Sequence, residues 1–194
     1  MATNIEIEAK VLIKENEYKN ILNYYKTKIL KKYEQINYYI DTPSLQLKHL
    51  GIGLRIRFKE GTYMLTLKAP LAEGLLEKNE DISKLAYEAF ANNNIFPESY
   101  IREFVKMLGV KHEDLKIITE LKTLRIEVDS GDSIGEFSVD RNEYNSLIDY
   151  ELEYAGENIE KVREKLRTIC NLTNTFYKDN TKSKQTRALE TIKQ

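Results

Sequence analysis

The stretch Glu6-Ile7-Glu8-Ala9-Lys10 places a charged side chain at every second position, with one apolar residue between successive charges. In a β-strand, residues i, i+2 and i+4 point to the same face, so the two carboxylates and the ammonium share a face. The same alternation recurs in four later segments: Arg55-Ile56-Arg57, Thr66-Leu67-Lys68, Arg125-Ile126-Glu127 and Glu151-Leu152-Glu153. The sequence therefore predicts at least five strands, each with one charged face and one apolar face.

Length, charge and cysteine content limit the classes of function. The 194 residues carry 30 basic and 31 acidic side chains, a net charge of −1. That balance gives no general positive field for nucleic acid or an anionic membrane. The single cysteine, Cys170, excludes an intrachain disulfide and fits a reducing compartment. Because no signal-peptide pattern and no membrane-length apolar run is present, we expect a cytoplasmic protein that binds neither membranes nor nucleic acid.

The spacing of apolar residues predicts the order of the secondary-structure elements. Strands are expected at residues 4–14, 35–41, 53–58, 63–68, 117–129, 135–142 and 146–154, with a less regular segment at 73–81. Helices are expected at 15–30, 83–108 and 157–171, and a short one within the polar tail. We expect a single domain over residues 1–194 with a helical insertion at about 83–116. About eight strands joined mostly by short turns favour an antiparallel sheet or barrel.

The repeated charged face allows two interpretations. In the first, the apolar face packs on a core and the charged face is solvated, which is the usual arrangement of antiparallel sheets. In the second, the sheet closes into a barrel with a charged interior, and the helices cover its apolar outer face. Repetition over five strands favours the second interpretation. Because buried unpaired charges are costly, such an interior would need ligands of both signs.

The residue types on the charged faces predict what those ligands are. Hard carboxylate ligands suited to Mg²⁺ or Mn²⁺ are provided by Glu6, Glu8, Glu151 and Glu153. No cluster of histidine and cysteine favours zinc. Cations suited to phosphate oxygens are provided by Lys10, Arg55, Arg57, Lys68 and Arg125. Together these residues predict a site for a polyphosphate and a divalent metal.

Five segments, in this order along the chain, resemble the CYTH superfamily, the triphosphate tunnel metalloenzymes. They are Glu6-Ile-Glu8-Ala-Lys10, Tyr38-Tyr39-Ile-Asp41-Thr42, Leu54-Arg55-Ile-Arg57, Leu65-Thr66-Leu-Lys68 and Glu151-Leu-Glu153. The resemblance covers nearly the whole chain and is greatest to the small bacterial members. It implies an α+β fold in which an eight-stranded antiparallel closed β-barrel, the triphosphate tunnel, has helices packed outside.

The resemblance also implies roles for individual residues. The metal would be held by Glu6, Glu8, Glu151, Glu153 and, as a further family acid, Asp140. The triphosphate would be bound by Arg55, Arg57, Lys68 and Arg125. Lys10 would contact a phosphoryl oxygen or orient the attacking water, so the catalytic set is Lys10, Glu6 and Glu8.

Four further residues are left open by the resemblance. Lys182 resembles the lysine of a family Lys-Ser element and would bind substrate, with a solvated tail as the alternative. Glu77 would match an acid of the fifth strand. Tyr39 and Asp41 could also face the tunnel, although a strand tyrosine more often packs.

Activities known in the family include triphosphate hydrolysis and class IV adenylate cyclase chemistry. We expect a Mg²⁺- or Mn²⁺-dependent triphosphatase acting on inorganic triphosphate or a small organic triphosphate such as thiamine triphosphate. The alternatives are a cyclase that converts ATP to cAMP and pyrophosphate, and a non-catalytic polyphosphate- or nucleotide-binding module. The expected partner is a small-molecule triphosphate, and the chain could form a homodimer.

Overall fold

The computed structural model describes residues 2–72, 74–131 and 135–192, with side chains described from Ile5 onward. The strands within these ranges are β1 (Ala2–Glu6), β2 (Glu8–Ile13), β3 (Ile29–Asp41), β4 (Gly53–Lys59), β5 (Thr62–Pro70), β6 (Leu75–Ile82), β7 (Lys116–Val128), β8 (Gly135–Tyr144) and β9 (Leu147–Gly156). The helices are α1 (Glu15–Tyr24), α2 (Gln46–His49), α3 (Lys84–Asn93), α4 (Tyr100–Met107), α5 (Ile159–Leu172) and α6 (Lys184–Glu190), with a 3₁₀ turn at His112–Asp114. No helix in the described ranges has the length and apolarity needed to cross a membrane.

The strands follow the order β1-β6-β5-β4-β3-β7-β8-β9-β2 in the sheet. The pairs β2–β9, β3–β4, β4–β5, β5–β6, β7–β8 and β8–β9 are antiparallel. The sequence predicted eight strands, and the described residues form nine. The difference arises at Ile7, which separates β1 from β2, so the predicted first strand is divided in two.

By its internal contacts, the chain divides into two compact units. Unit 1 comprises residues 1–5, 35–121 and 184–194, and unit 2 comprises residues 6–34 and 122–183. The long strands β3 and β7 each contribute residues to both units. Each unit has its own buried apolar cluster, so the two are described separately below.

In unit 1, helices α3 and α4 supply apolar side chains to the core of strands β3 to β6. Leu54 and Leu67 are completely buried there, in the same cluster as Phe90 of α3 and Val105 of α4. Each helix begins at a serine whose hydroxyl accepts a hydrogen bond from a backbone N–H of the first turn. These helices lie where the sequence predicted a helical insertion.

In unit 2, helices α1 and α5 supply apolar residues to the core of strands β2, β7, β8 and β9. Ile21 of α1 and Leu166 of α5 are completely buried in one cluster with Val11 and Leu152 of the strands. Cys170 lies in the same cluster, and burial raises the pKa of its thiol to about 12. Its thiol therefore packs as an apolar group.

Helix α1 is shorter than the sequence predicted. The expected helix extended to residue 30, but α1 ends at Tyr24 and β3 already begins at Ile29. The Asp129 backbone N–H donates to the Lys28 carbonyl at 2.9 Å, and from there β3 lies beside β7 in the sheet. Apolar residues at positions 21, 25 and 29 fit a helical period, but pairing with a distant strand outweighs that local pattern.

Candidate active site

In unit 2, the predicted metal ligands Asp140, Glu151 and Glu153 share one face of the sheet. The register places Lys10 opposite Glu153, Glu151 opposite Asp140, and Asp140 opposite Arg125. Directly opposed residues of antiparallel strands point to the same face. We call these five residues the acidic face of unit 2. Glu151 and Asp140 have no exposed surface, and Glu153 is 8% exposed, so this charged face is not solvated.

Arg125 connects two of these carboxylates. Its Nε and Nη2 atoms donate to the two oxygens of Asp140 at 2.9 and 2.6 Å, and Nη2 also donates to Glu153. Burial alone would lower the pKa of the guanidinium, but the Asp140 and Glu153 carboxylates raise it well above its ordinary value. Asp140, predicted as a metal ligand, therefore has both oxygens bonded to Arg125.

Lys10 lies between two of the predicted metal ligands, Glu8 and Glu153. Its Nζ atom donates to Glu8 Oε1 on the same strand and lies 3.9 Å from Glu153 Oε1 on β9. Glu6, the other acid of the opening motif, is half-buried at the end of β1. The ammonium thus neutralises part of the charge of the carboxylates around it.

Glu151 is contacted by a residue that the sequence analysis missed. Asn180 donates from Nδ2 to Glu151 Oε1 at 3.0 Å, and its backbone N–H donates to the Lys10 carbonyl at 2.8 Å. The Asn180 side-chain oxygen also accepts from the backbone N–H of Lys182, whose side chain is exposed. Asn180 lies outside any regular element, so no periodic signal could have identified it.

Within the described part of the chain, no group of three or more His, Cys, Asp or Glu side chains is close enough together to hold a metal ion. The chemistry of the donors still fits a hard divalent cation. Glu8, Glu151 and Glu153 supply carboxylate oxygens, which Mg²⁺ and Mn²⁺ prefer. Lys10 contacts Glu8 and Glu153, so a cation at these oxygens would compete with the ammonium.

In unit 1, the predicted phosphate-binding cations share one face of strands β3 to β6. The register gives one row of Tyr39, Arg55, Thr66 and Asn79, a second of Gly53, Lys68 and Glu77, and a third that includes Asn37 and Arg57. We call the side chains of these rows the basic face of unit 1. The strand residues between those of the basic face, such as Leu54 and Leu67, are buried. They form one cluster with the apolar side chains of α3 and α4.

The two arginines of this face differ in their partners. Arg57 Nε donates to Asn37 Oδ1 at 3.1 Å. Arg55 Nε is buried and has no hydrogen-bond partner among the described residues. A buried guanidinium N–H without an acceptor is unusual in a folded protein. Arg55 therefore presents a donor that a ligand oxygen could satisfy.

Glu77 lies on the basic face of unit 1. The irregular sequence pattern of residues 73–81 had left the position of its side chain open. Lys68 Nζ lies 3.0 Å from Glu77 Oε2, and Asn79 Nδ2 donates to Glu77 Oε1 at 2.6 Å. Burial favours the protonated acid, but the Lys68 charge and the Asn79 hydrogen bond together lower the pKa of Glu77 to about 2. Glu77 is therefore ionised at neutral pH and orients Lys68.

Helix α6 adds residues that the sequence analysis did not select. A Cβ atom at Gly53 would lie 2.8 Å from Gln185 Oε1 and 3.7 Å from Lys68 Cβ, so α6 contacts the basic face. Arg187 of the same helix is 7% exposed, and its charge and that of Lys184 act on the Tyr39 phenol. The only signal in the sequence was the basic character of the polar tail.

Asp41 has a structural role. Its carboxylate is completely buried and accepts hydrogen bonds from the backbone N–H groups of Thr42, Leu47 and Lys48 at 2.7, 2.9 and 2.9 Å. It therefore fixes the turn from β3 into α2.

Residues 4–188 match the family model described as the CYTH domain. The chain belongs to the CYTH family. A relative named "Putative triphosphatase YjbK", from Bacillus subtilis (strain 168), is 32% identical over 154 residues, which are 79% of this chain and 78% of the relative.

Two solved structures show the same CYTH fold. One, described as a "putative adenylate cyclase" from Bacillus halodurans, is 29% identical with a TM-score of 0.87, over 96% of this chain and 98% of that one. The other, from Hippeastrum, is described as a "putative adenylyl cyclase" with a dominant triphosphatase activity; it is 22% identical with a TM-score of 0.82, over 96% of each chain. These likenesses confirm the predicted α+β tunnel fold, with nine strands in place of eight.

Proposed function

We propose that this CYTH protein is a divalent-metal-dependent triphosphatase that hydrolyses inorganic triphosphate or a small organic triphosphate such as thiamine triphosphate. The observation that supports this most is that each unit has a face of charged side chains, mainly acidic in unit 2 and mainly basic in unit 1. The acidic face of unit 2 contains three carboxylates and adjoins Glu8, whereas the basic face of unit 1 contains two arginines and a lysine. A triphosphate bound with its metal carries the charges that complement both sets. The relative at 32% identity, named as a triphosphatase, supports the same reaction.

In this proposal the chain's own residues mainly position and neutralise charge. Arg55 and Arg57 bind phosphoryl oxygens, and Glu77 keeps Lys68 directed along the same face. Lys10 contacts a phosphoryl oxygen or orients the attacking water. Glu6, Glu8, Glu151 and Glu153 hold the metal, which when bound neutralises developing charge and lowers the pKa of coordinated water. Phosphoryl transfer depends largely on such positioning, which residues fixed on paired strands provide.

The experiment that tests the proposal is a substrate panel with identified products. Purified protein is incubated with inorganic triphosphate, thiamine triphosphate and ATP, each with Mg²⁺ and with Mn²⁺. We expect metal-dependent release of phosphate from at least one triphosphate. Formation of cAMP and pyrophosphate from ATP, without phosphate release, would instead identify a cyclase. Metal-dependent binding with no turnover of any substrate would identify a binding module, and both results would overturn the proposal.

A further inference from the structure

Tyr39 lies on the basic face of unit 1, among the predicted phosphate-binding cations. It is paired directly with Arg55 across β3 and β4, and such residues have Cβ atoms about 5 Å apart on one face. Only 2% of its surface is exposed. A phenol is therefore buried in a row of polar side chains, whereas its neighbour Tyr38 points to the apolar face.

Four positive charges act on this phenol. Burial raises the pKa of Tyr39, and the charges of Arg55, Lys184, Arg57 and Arg187 oppose that effect without cancelling it. The pKa of Tyr39 is consequently above its ordinary value. The hydroxyl therefore keeps its proton at neutral pH and remains a hydrogen-bond donor.

A second donor stands in the same row. Arg55 Nε is buried without a hydrogen-bond partner among the described residues, and a guanidinium can only donate. Thr66, the next residue of the row, already donates its hydroxyl to Asn79 Oδ1 at 2.8 Å. Tyr39 and Arg55 therefore suit a ligand that presents several acceptor oxygens, and a phosphoryl group is such a ligand.

We propose that the Tyr39 hydroxyl donates a hydrogen bond to a phosphoryl oxygen of the bound triphosphate, beside Arg55. This inference rests on the proposed function and names a further binding residue for it. The neighbouring arginines and lysines supply charge, which acts over a distance. The phenol supplies a neutral and directional contact, so it fixes the position of one oxygen.

The test removes the hydroxyl alone. In Tyr39→Phe, we expect kcat/KM for inorganic triphosphate with Mg²⁺ to fall by roughly tenfold to a hundredfold, as for the loss of one hydrogen bond to a charged group. The affinity for inorganic triphosphate, measured by titration calorimetry, should fall by a similar factor. The melting temperature of the free protein should stay close to that of the wild type.

Two further variants separate the hydroxyl from the ring. Tyr38→Phe is the same change one position earlier, where the ring lies 4.9 Å from that of Tyr87, and it should keep the wild-type kcat/KM. Tyr39→Leu removes the ring as well. If Tyr39→Phe retains wild-type activity and affinity while Tyr39→Leu loses them, Tyr39 acts by packing and the proposal is wrong.

The wild-type protein distinguishes this failure from that of the proposed function. If it neither binds nor hydrolyses any triphosphate, the proposed function fails and the role of Tyr39 fails with it. If it hydrolyses triphosphate and Tyr39→Phe does so equally well, only the role of Tyr39 is refuted.

Discussion

Glu8 and Glu153 contact the Lys10 ammonium, and Glu153 also accepts from Arg125. Such contacts offset part of the cost of holding carboxylates in a buried environment. Because the Lys10 ammonium already contacts these oxygens, a divalent cation that binds them would have to displace it. At the level of single residues, these two carboxylates of unit 2 are therefore paired with cations of the same unit.

The first prediction concerns Glu8. Glu8→Gln should abolish metal-dependent turnover because an amide is a weaker ligand for Mg²⁺ than a carboxylate. The variant should remain folded, as judged by circular dichroism and its melting temperature. Glu164→Gln, an exposed change on α5, is the matched control and should keep full activity. Full activity of Glu8→Gln would remove Glu8 from the metal site.

The second prediction concerns Glu77 and pH. Its folded-state pKa is about 2, below the ordinary value of 4.5, so its ionised form stabilises the fold above pH 4.5. This contribution is lost as pH falls from about 4.5 to 2, and it amounts to at most about 3 kcal/mol. Urea unfolding at pH 7 and pH 3 should therefore show a smaller pH effect in Glu77→Gln than in the wild type. An equal loss of unfolding free energy in both proteins would contradict the ion pair with Lys68.

At the level of elements, close approach of β8 and β9 depends on a glycine. A Cβ atom at Gly135 would overlap the Ala155 carbonyl and lie 2.9 Å from Tyr154 Cε1. Both obstacles are poorly movable, because one is backbone of the paired strand and the other is a completely buried ring. The β8–β9 pair carries Asp140, Glu151 and Glu153, so this approach also positions the acidic face.

The third prediction follows from that contact. Gly135→Ala should lower the free energy of unfolding by about 2–4 kcal/mol, since the paired backbone must move to admit the methyl group. Gly53→Ala is the matched control, because its Cβ meets only the end of the flexible Gln185 side chain within 3 Å. It should cost much less in the same denaturant titration. Equal stability of the two variants would show that β8 and β9 can move apart enough to admit a methyl group at little cost in free energy.

At the level of the whole molecule, the proposed function assigns roles to side chains in each of the two units. Unit 2 contains the predicted metal ligands, and unit 1 contains Arg55, Arg57 and Lys68. A ligand that binds only the folded state raises the free energy of unfolding by about 2.7 kcal/mol at a hundred times its dissociation constant. Ligand-dependent stabilisation is therefore a test that does not depend on turnover.

The fourth prediction uses that stabilisation. Inorganic triphosphate with Mg²⁺ should raise the melting temperature of the wild type, and removal of metal with EDTA should reduce the shift. Arg55→Ala in unit 1 and Glu153→Gln in unit 2 should each reduce it as well. Arg102→Ala also removes a buried Nε that has no hydrogen-bond partner among the described residues, but it lies on α4 and should leave the shift unchanged. If the melting temperature of the wild type does not change, the charged faces do not bind triphosphate, and the proposed function is contradicted.

The sequence by itself determined which residues share a face. The alternation at Glu6-Ile7-Glu8-Ala9-Lys10 and in the later strands separates charged from apolar side chains, because the β-strand period is two. The ordered motifs also identified the family. Both conclusions depend on local spacing, which needs no knowledge of partners.

Only the tertiary structure decided which side chains meet. It paired Arg125 with Asp140 and Glu153, brought Asn180 to Glu151, and placed Arg187 near Tyr39. It also ended α1 early, because residues from Ile29 onward join the sheet. A period of two fixes the face of a residue but not the register of its strand or the distant segment that packs against it. Those depend on contacts between residues far apart in the chain.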